Sequence, residues 1–227
     1  MKNESLFIFS LTSSESEFIL IPLLNKEKAK KAMRKKDPEK QEAIIKSAVR
    51  VFARQGYHAA KMSRIAEEAG VAAGSLYLYF RNKDNLLQEI IDCTWEEMKR
   101  RYEENVSDEG LSPADKLVAL IDSVFDLFMD DPDRAIIFVN EQHHLEQKGI
   151  ADFTSKKEML LSLGAQVIQE GVQRGHFDPE IDIMIFKEFI FGGLHQVLNL
   201  WAMQPGKIDL ERLRHEMKPI ILKGIAK

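Results

Sequence analysis

The 227-residue chain has a single cysteine, Cys93. One thiol builds neither a disulfide framework nor a cysteine-based zinc site, and it points to a reducing compartment. The sequence also lacks a G-x-S-x-G elbow, a Walker A loop and a Rossmann glycine pattern. "EQHH" sets Glu141 and His144 three residues apart, as in half of a di-iron carboxylate site, but there is no second Glu-x-x-His to complete it. His195 reads as a packed core or interface histidine, and Cys93 as packing. No metal, no cofactor and no enzymatic activity are expected. The longest uncharged run, 189–206, contains His195, Gln196, Asn199 and Pro205, which argues against a membrane span. Strand-like alternation and fixed-period repeats are missing as well.

What is present is helix after helix, and the fold class is all-α. Asp37-Pro38 supplies an N-cap and an N1 proline, Ile44, Ala48, Val51 and Phe52 follow at helical spacing, and Gly56 stops the run. Two short helices are predicted, from about Met62 to Ala69 and from about Ala73 to Phe80, joined through "GVAA". Asn82 caps a fourth, with Leu87, Ile91, Thr94, Trp95, Met98 and Tyr102 on its inner side. Further helices are expected over Leu117–Phe128, after Pro132, over Ser155–Gly175, from an Asp178-Pro179 cap to Met203, and over Leu210–Ile225. Residues 1–32 differ: two apolar bursts flank a serine-rich spacer, without helical period. They read as a disordered extension that contributes nothing to function. A lone Lys2 and no A-x-A site do not make a signal peptide.

Charge divides the chain. From Met33 to Lys83 there are 11 Lys/Arg against 5 Asp/Glu; from Asp84 to Lys227 there are 16 against 27. A basic segment on an acidic body suggests a polyanion-binding module, 33–83, joined to a larger helical domain, 84–227. Two short helices with a tight turn at Gly70 are helix-turn-helix spacing. Ile65, Ala66, Val71, Leu76 and Phe80 are its packing positions, leaving Ala72, Ala73, Ser75, Tyr77 and Tyr79 facing out or half out. Small residues let a helix backbone approach base edges, and tyrosine hydroxyls suit phosphate oxygens.

"MSRIAEEAGVAAGSLYLYFRNKDNLL" resembles the DNA-binding segment of TetR-family transcriptional repressors. It matches their pattern at Ile65, Ala66, Ala69, Gly70, Val71, Gly74, Leu76, Tyr77, Tyr79, Phe80, Lys83 and Leu86. The resemblance implies that Tyr77, Tyr79 and Lys83 contact phosphates and that Ala73, Gly74 and Ser75 lie nearest the bases. Two positions depart from the pattern. Ala72 stands where the family has a capping serine, at a cost of about 1 kcal/mol. Ala60 and Lys61 stand where it has a phosphate-binding threonine, so that contact passes to Lys61 by charge or to Ser63 by hydroxyl. No Arg, Asn or Gln heads the recognition helix, so DNA shape is expected to carry part of the specificity.

The resemblance further implies a cytoplasmic homodimer, a near-palindromic duplex operator, and a body that dimerises and encloses a small ligand. "EGVQRGHFDPEIDI" and "FIFGGLHQVLNLWAM" resemble the fatty-acid-responsive branch, whose members answer to long-chain acyl-CoA. The expected lining of an apolar tunnel is Phe125, Phe128, Met129, Phe138, Met159, Leu163, Phe189 and Trp201, residues that would serve equally as ordinary core. His143, His144, Lys148, Lys156 and Lys157 would meet the CoA phosphates or form a solvated helix face. The alternative is a helical binding protein or enzyme that keeps the helix-turn-helix only as scaffold.

Overall fold

Asp37 begins the first helix as its place before Pro38 predicts, its carboxylate accepting from Glu39 N at 3.1 Å. The computed structural model describes residues 37–149, 152–204 and 206–226, apart from the side chain of Gln142. The expectation for residues 1–32 lies outside them. The helices are α1 (Pro38–Gln55), α2 (Met62–Glu68), α3 (Ala73–Tyr79), α4 (Lys83–Ser107), α5 (Pro113–Asp130), α6 (Pro132–Gln147), α7 (Phe153–Gln173), α8 (Ile183–Met203) and α9 (Leu210–Ile225). Side-chain caps recur: Asn82, Ser112, Asp131, Asp152, Asp182 and Asp209 each accept from a backbone N–H of the first turn. Among the described residues the only β-type pairing is one antiparallel bridge, Phe177 to Ala226.

One boundary differs from the sequence reading. Asp178-Pro179 does not cap α8. Asp178 closes a turn, accepting from Glu180 N at 2.9 Å, and Asp182 caps the helix four residues later. The bridge explains the delay, because Asp178 N donates to Ile225 O and holds this segment extended along the end of α9.

The α1–α3 head closes over Ile44, Phe52, Ile65 and Leu76, all fully buried or nearly so. Burying each such side chain is worth about 1.5–3 kcal/mol. α4 belongs to both parts. Leu86, Leu87 and Ile90 are buried in its first turns, and Trp95 and Met98 farther along against the body. α6 packs on α1 as well as on α4, giving the head a second attachment. In the body, Lys116 is 5 % exposed and meets Glu170 at 3.0 Å, joining α5 to α7. Arg214 joins α9 to α5 through Asp122 at 2.6 Å. No described helix is long and apolar enough to cross a membrane.

Candidate functional site

The exposed face of the head is built by the turn between α2 and α3. Gly70 adopts φ 64° there, and Val71 N returns to Ala66 O at 3.0 Å. Ile65, Ala66, Leu76 and Phe80 face inward, with Val71 half-buried against them. Lys61, Ser63, Ala73, Gly74 and Tyr77 are exposed, and Ser75 and Tyr79 are half-buried. Ala72 gives α3 no side-chain cap. A Cβ added at Gly74 would meet nothing of the chain's own within 4 Å. Tyr79 is partly spoken for, its hydroxyl accepting from Asp37 N at 3.3 Å.

Lys83 is placed differently from the other cations. Its ammonium donates to the carbonyls of Tyr57, His58 and Ala60 at 2.6, 2.9 and 3.1 Å and lies 4.5 Å over the Tyr57 ring. It thereby ties the α1–α2 loop to the start of α4. Arg50 and Arg54 pair with Glu68, and Arg64 with Glu67. Among the described residues Lys61 and Arg81 have no ion-pair partner, and both are exposed.

Behind this face lies a polar junction. Tyr57 Oη donates to Asp84 Oδ1, and Lys148 Nζ, from the end of α6, reaches the same carboxylate at 3.0 Å. His144 Nε2 stands 3.4 Å from Asp84, and the His144 ring meets the rings of Tyr57 and His58 at 5.1 and 5.2 Å. The Tyr57 hydroxyl, then the Lys148 ammonium and His144, hold the Asp84 carboxyl below its ordinary range against the opposing effect of burial. Burial first, and Asp84 second, push the Tyr57 phenol up. His144 and Lys148 therefore join α6 to the head.

An apolar cavity opens among α4 to α8 of the body. Trp95 and Met98 of α4, Phe128 of α5 and Phe138 and Val139 of α6 contribute to its wall. A second cavity adjoins it and carries His143, Glu146, Thr154 and Lys157. Trp95, Phe191 and His195 line both. Burial, and then His143, depress the His195 imidazole below its ordinary range. Of the tunnel residues expected from sequence, Phe128 and Phe138 line the apolar cavity. Trp201 stands behind it, stacked 6.4 Å from Phe128. Phe125 is fully buried core, and Met129, Met159 and Leu163 are half-buried against the core and line neither cavity. Phe189 is 69 % exposed on the outer side of α8, beside exposed Met184, Ile185, Leu200 and Met203. Of the expected phosphate-binding cluster, His143 and Lys157 reach the second cavity, whereas Lys156 pairs with Asp92. Tyr102, Leu160, Leu161, Ile190 and Leu194 were missed as lining residues. Their helical spacing marks them as buried without saying whether they face a cavity or another side chain.

Residues 44–90 match the model of bacterial regulatory proteins of the tetR family, and residues 88–224 match the C-terminal region of YsiA-like proteins. The fatty acid metabolism regulator protein of Bacillus subtilis is 31 % identical over 196 residues, covering 85 % of this chain and 98 % of its own. The repressor KstR2 of Mycolicibacterium smegmatis is 27 % identical, over 82 % of this chain and 90 % of its own. Among solved structures, the fatty acid degradation regulator FadR of Bacillus halodurans superposes with a TM-score of 0.69 at 34 % identity, over 83 % of this chain and 97 % of that one. FadR of Bacillus subtilis in complex with stearoyl-CoA superposes with a TM-score of 0.67 at 32 % identity, over 81 % and 98 %.

Proposed function

Because this chain belongs to the tetR family of bacterial regulatory proteins, we propose that the signal it answers to is a long-chain acyl-CoA. The protein is a ligand-responsive, DNA-binding transcriptional repressor, and its relatives are regulators rather than enzymes. It acts in the cytoplasm on a near-palindromic duplex.

On the head, Ala73, Gly74 and Ser75 approach the bases. Tyr77 and Tyr79 hydroxyls reach phosphate oxygens, and Lys61, Ser63 and Arg81 supply further backbone contacts. Lys83 acts chiefly as a positioning residue, since its three carbonyl partners hold the loop that precedes α2. A second copy joins through the exposed apolar face of α8, where Gly192 and Gly193 leave room for close helix approach.

The observation that carries the effector assignment is the pairing of an apolar cavity with an adjoining one whose wall adds His143, Glu146, Thr154 and Lys157. A neutral apolar ligand would have no use for the second, and the solved relative with stearoyl-CoA supports the same chemistry. Release follows from the wall: α4 and α6 both line the cavity, and α4 begins and α6 ends at the junction where Asp84 meets His144 and Lys148. A ligand that spreads α4 from α6 works directly on the head's attachment. A coupling of about 1–3 kcal/mol is ordinary for such a device.

The test is release of a labelled duplex from the chain's own upstream region, read by fluorescence anisotropy. Long-chain acyl-CoA should release it at micromolar concentration, while free CoA and acetyl-CoA should not. Affinity should rise roughly fifteenfold for every two carbons added until the cavity is full. Indifference to every chain length rules out this effector.

A further inference from the structure

We propose that the indole N–H of Trp95 is the hydrogen-bond donor that fixes an acyl thioester where the two cavities adjoin, and so sets how far the chain enters. The inference rests on the acyl-CoA reading above. A long-chain acyl thioester has three chemically distinct parts in order: a hydrocarbon chain, one carbonyl acceptor, and a polar carrier. The protein presents matching surroundings in the same order. The apolar cavity is walled almost entirely by hydrocarbon, its neighbour carries His143, Glu146, Thr154 and Lys157, and Trp95, Phe191 and His195 line both.

Of these three, Trp95 carries a buried donor without a partner among the described residues, and the residue is 3 % exposed. Buried polar groups are nearly always paired, so an orphan donor on a cavity wall is a reason to look for a ligand acceptor. The ring is held in place, edge-on to Phe138 at 5.2 Å and stacked with Phe153 at 6.4 Å. The N–H itself is sealed from solvent, so a carbonyl reaches it only as a ligand parts the neighbouring side chains; once made, such a bond discriminates among ligands because its absence leaves the donor unpaired. Trp95 also sits on α4, so the same contact places the thioester against the helix that begins the head's attachment.

The experiment compares a long-chain acyl-CoA with its S-alkyl-CoA thioether, which keeps chain and carrier but lacks the carbonyl oxygen. Binding of each is measured by calorimetry to the full-length wild-type chain and to Trp95→Phe, with a melting curve to verify folding. The wild-type chain should prefer the thioester by about tenfold, within the range of a single buried hydrogen bond. Trp95→Phe should lose that preference. A wild-type chain that binds both compounds equally overturns the proposal, as does a variant that weakens both by the same factor, since that marks Trp95 as packing alone. Failure of the wild-type chain to bind either compound defeats the acyl-CoA reading itself, and the Trp95 assignment with it. A second readout needs no variant. The chain has two tryptophans, and the ¹⁵N-indole resonance of Trp95 should shift downfield with the thioester and not with the thioether; equal shifts contradict the assignment.

Discussion

Single residues on the head separate folding from recognition. Gly74 has no neighbour that an added methyl would strike, and alanine is the better helix former. Gly74→Ala should therefore raise stability by about 0.5–1 kcal/mol while weakening operator binding, as melts and anisotropy would show together. If binding were unaffected, bases would not approach there. Lys61 and Lys83 should behave as opposites. Lys61→Ala should leave the melt unchanged and reduce the salt slope of DNA binding by about one unit. Lys83→Ala should lower stability by about 1–2 kcal/mol, because three carbonyls lose a charged donor. The sequence could not make this distinction. A lysine in the first turn of a helix is compatible with a bound phosphate, and only the return of the α1–α2 loop shows that carbonyls take its donors. Tyr77 was easier to read: the inward period of Ile65, Ala66, Leu76 and Phe80 forces it out, and it is 54 % exposed.

Elements were legible where their signals are local. Asp37, Pro38, Gly56, Gly70 and Asn82 mark ends of helices within a few residues of sequence, and the structure places them there. Asp178-Pro179 misled because its partner, Ile225, is remote in the chain. The side of α8 that faces the cavity was unreadable for another reason. Apolar residues lie all round this helix, and no period distinguishes Phe186, which is inside, from Phe189, which is outside. The turn from α7 offers a sharp packing test. A Cβ at Gly171 would stand 2.0 Å from the Phe177 ring, so Gly171→Ala should destabilise the body by about 1–3 kcal/mol while leaving the head's surface intact. The α4–α6 junction has a pH signature. Asp84 is held below its unfolded carboxylate value, so its contribution is complete above about pH 4 and disappears as pH falls through the lowered value. Asp84→Asn should melt lower near neutrality and show a shallower acid limb.

At the scale of the whole molecule, a basic head and an acidic body share one helix, and a cavity lies beside the part of that helix that belongs to the body. Two copies are needed to read a near-palindrome. Phe189→Glu on the exposed face of α8 should give a monomer by sedimentation and a much weaker operator complex, with the cavity still able to bind ligand. Native mass spectrometry of the wild-type chain, mixed with duplex operator and titrated with long-chain acyl-CoA, tests the assembly, the ligand and their opposition together. The expected spectra show a protein dimer on one duplex, replaced as ligand is added by free duplex and a dimer carrying up to two acyl-CoA molecules. A ligand-bearing dimer that stays on the duplex, at any ratio of ligand to protein, contradicts the account.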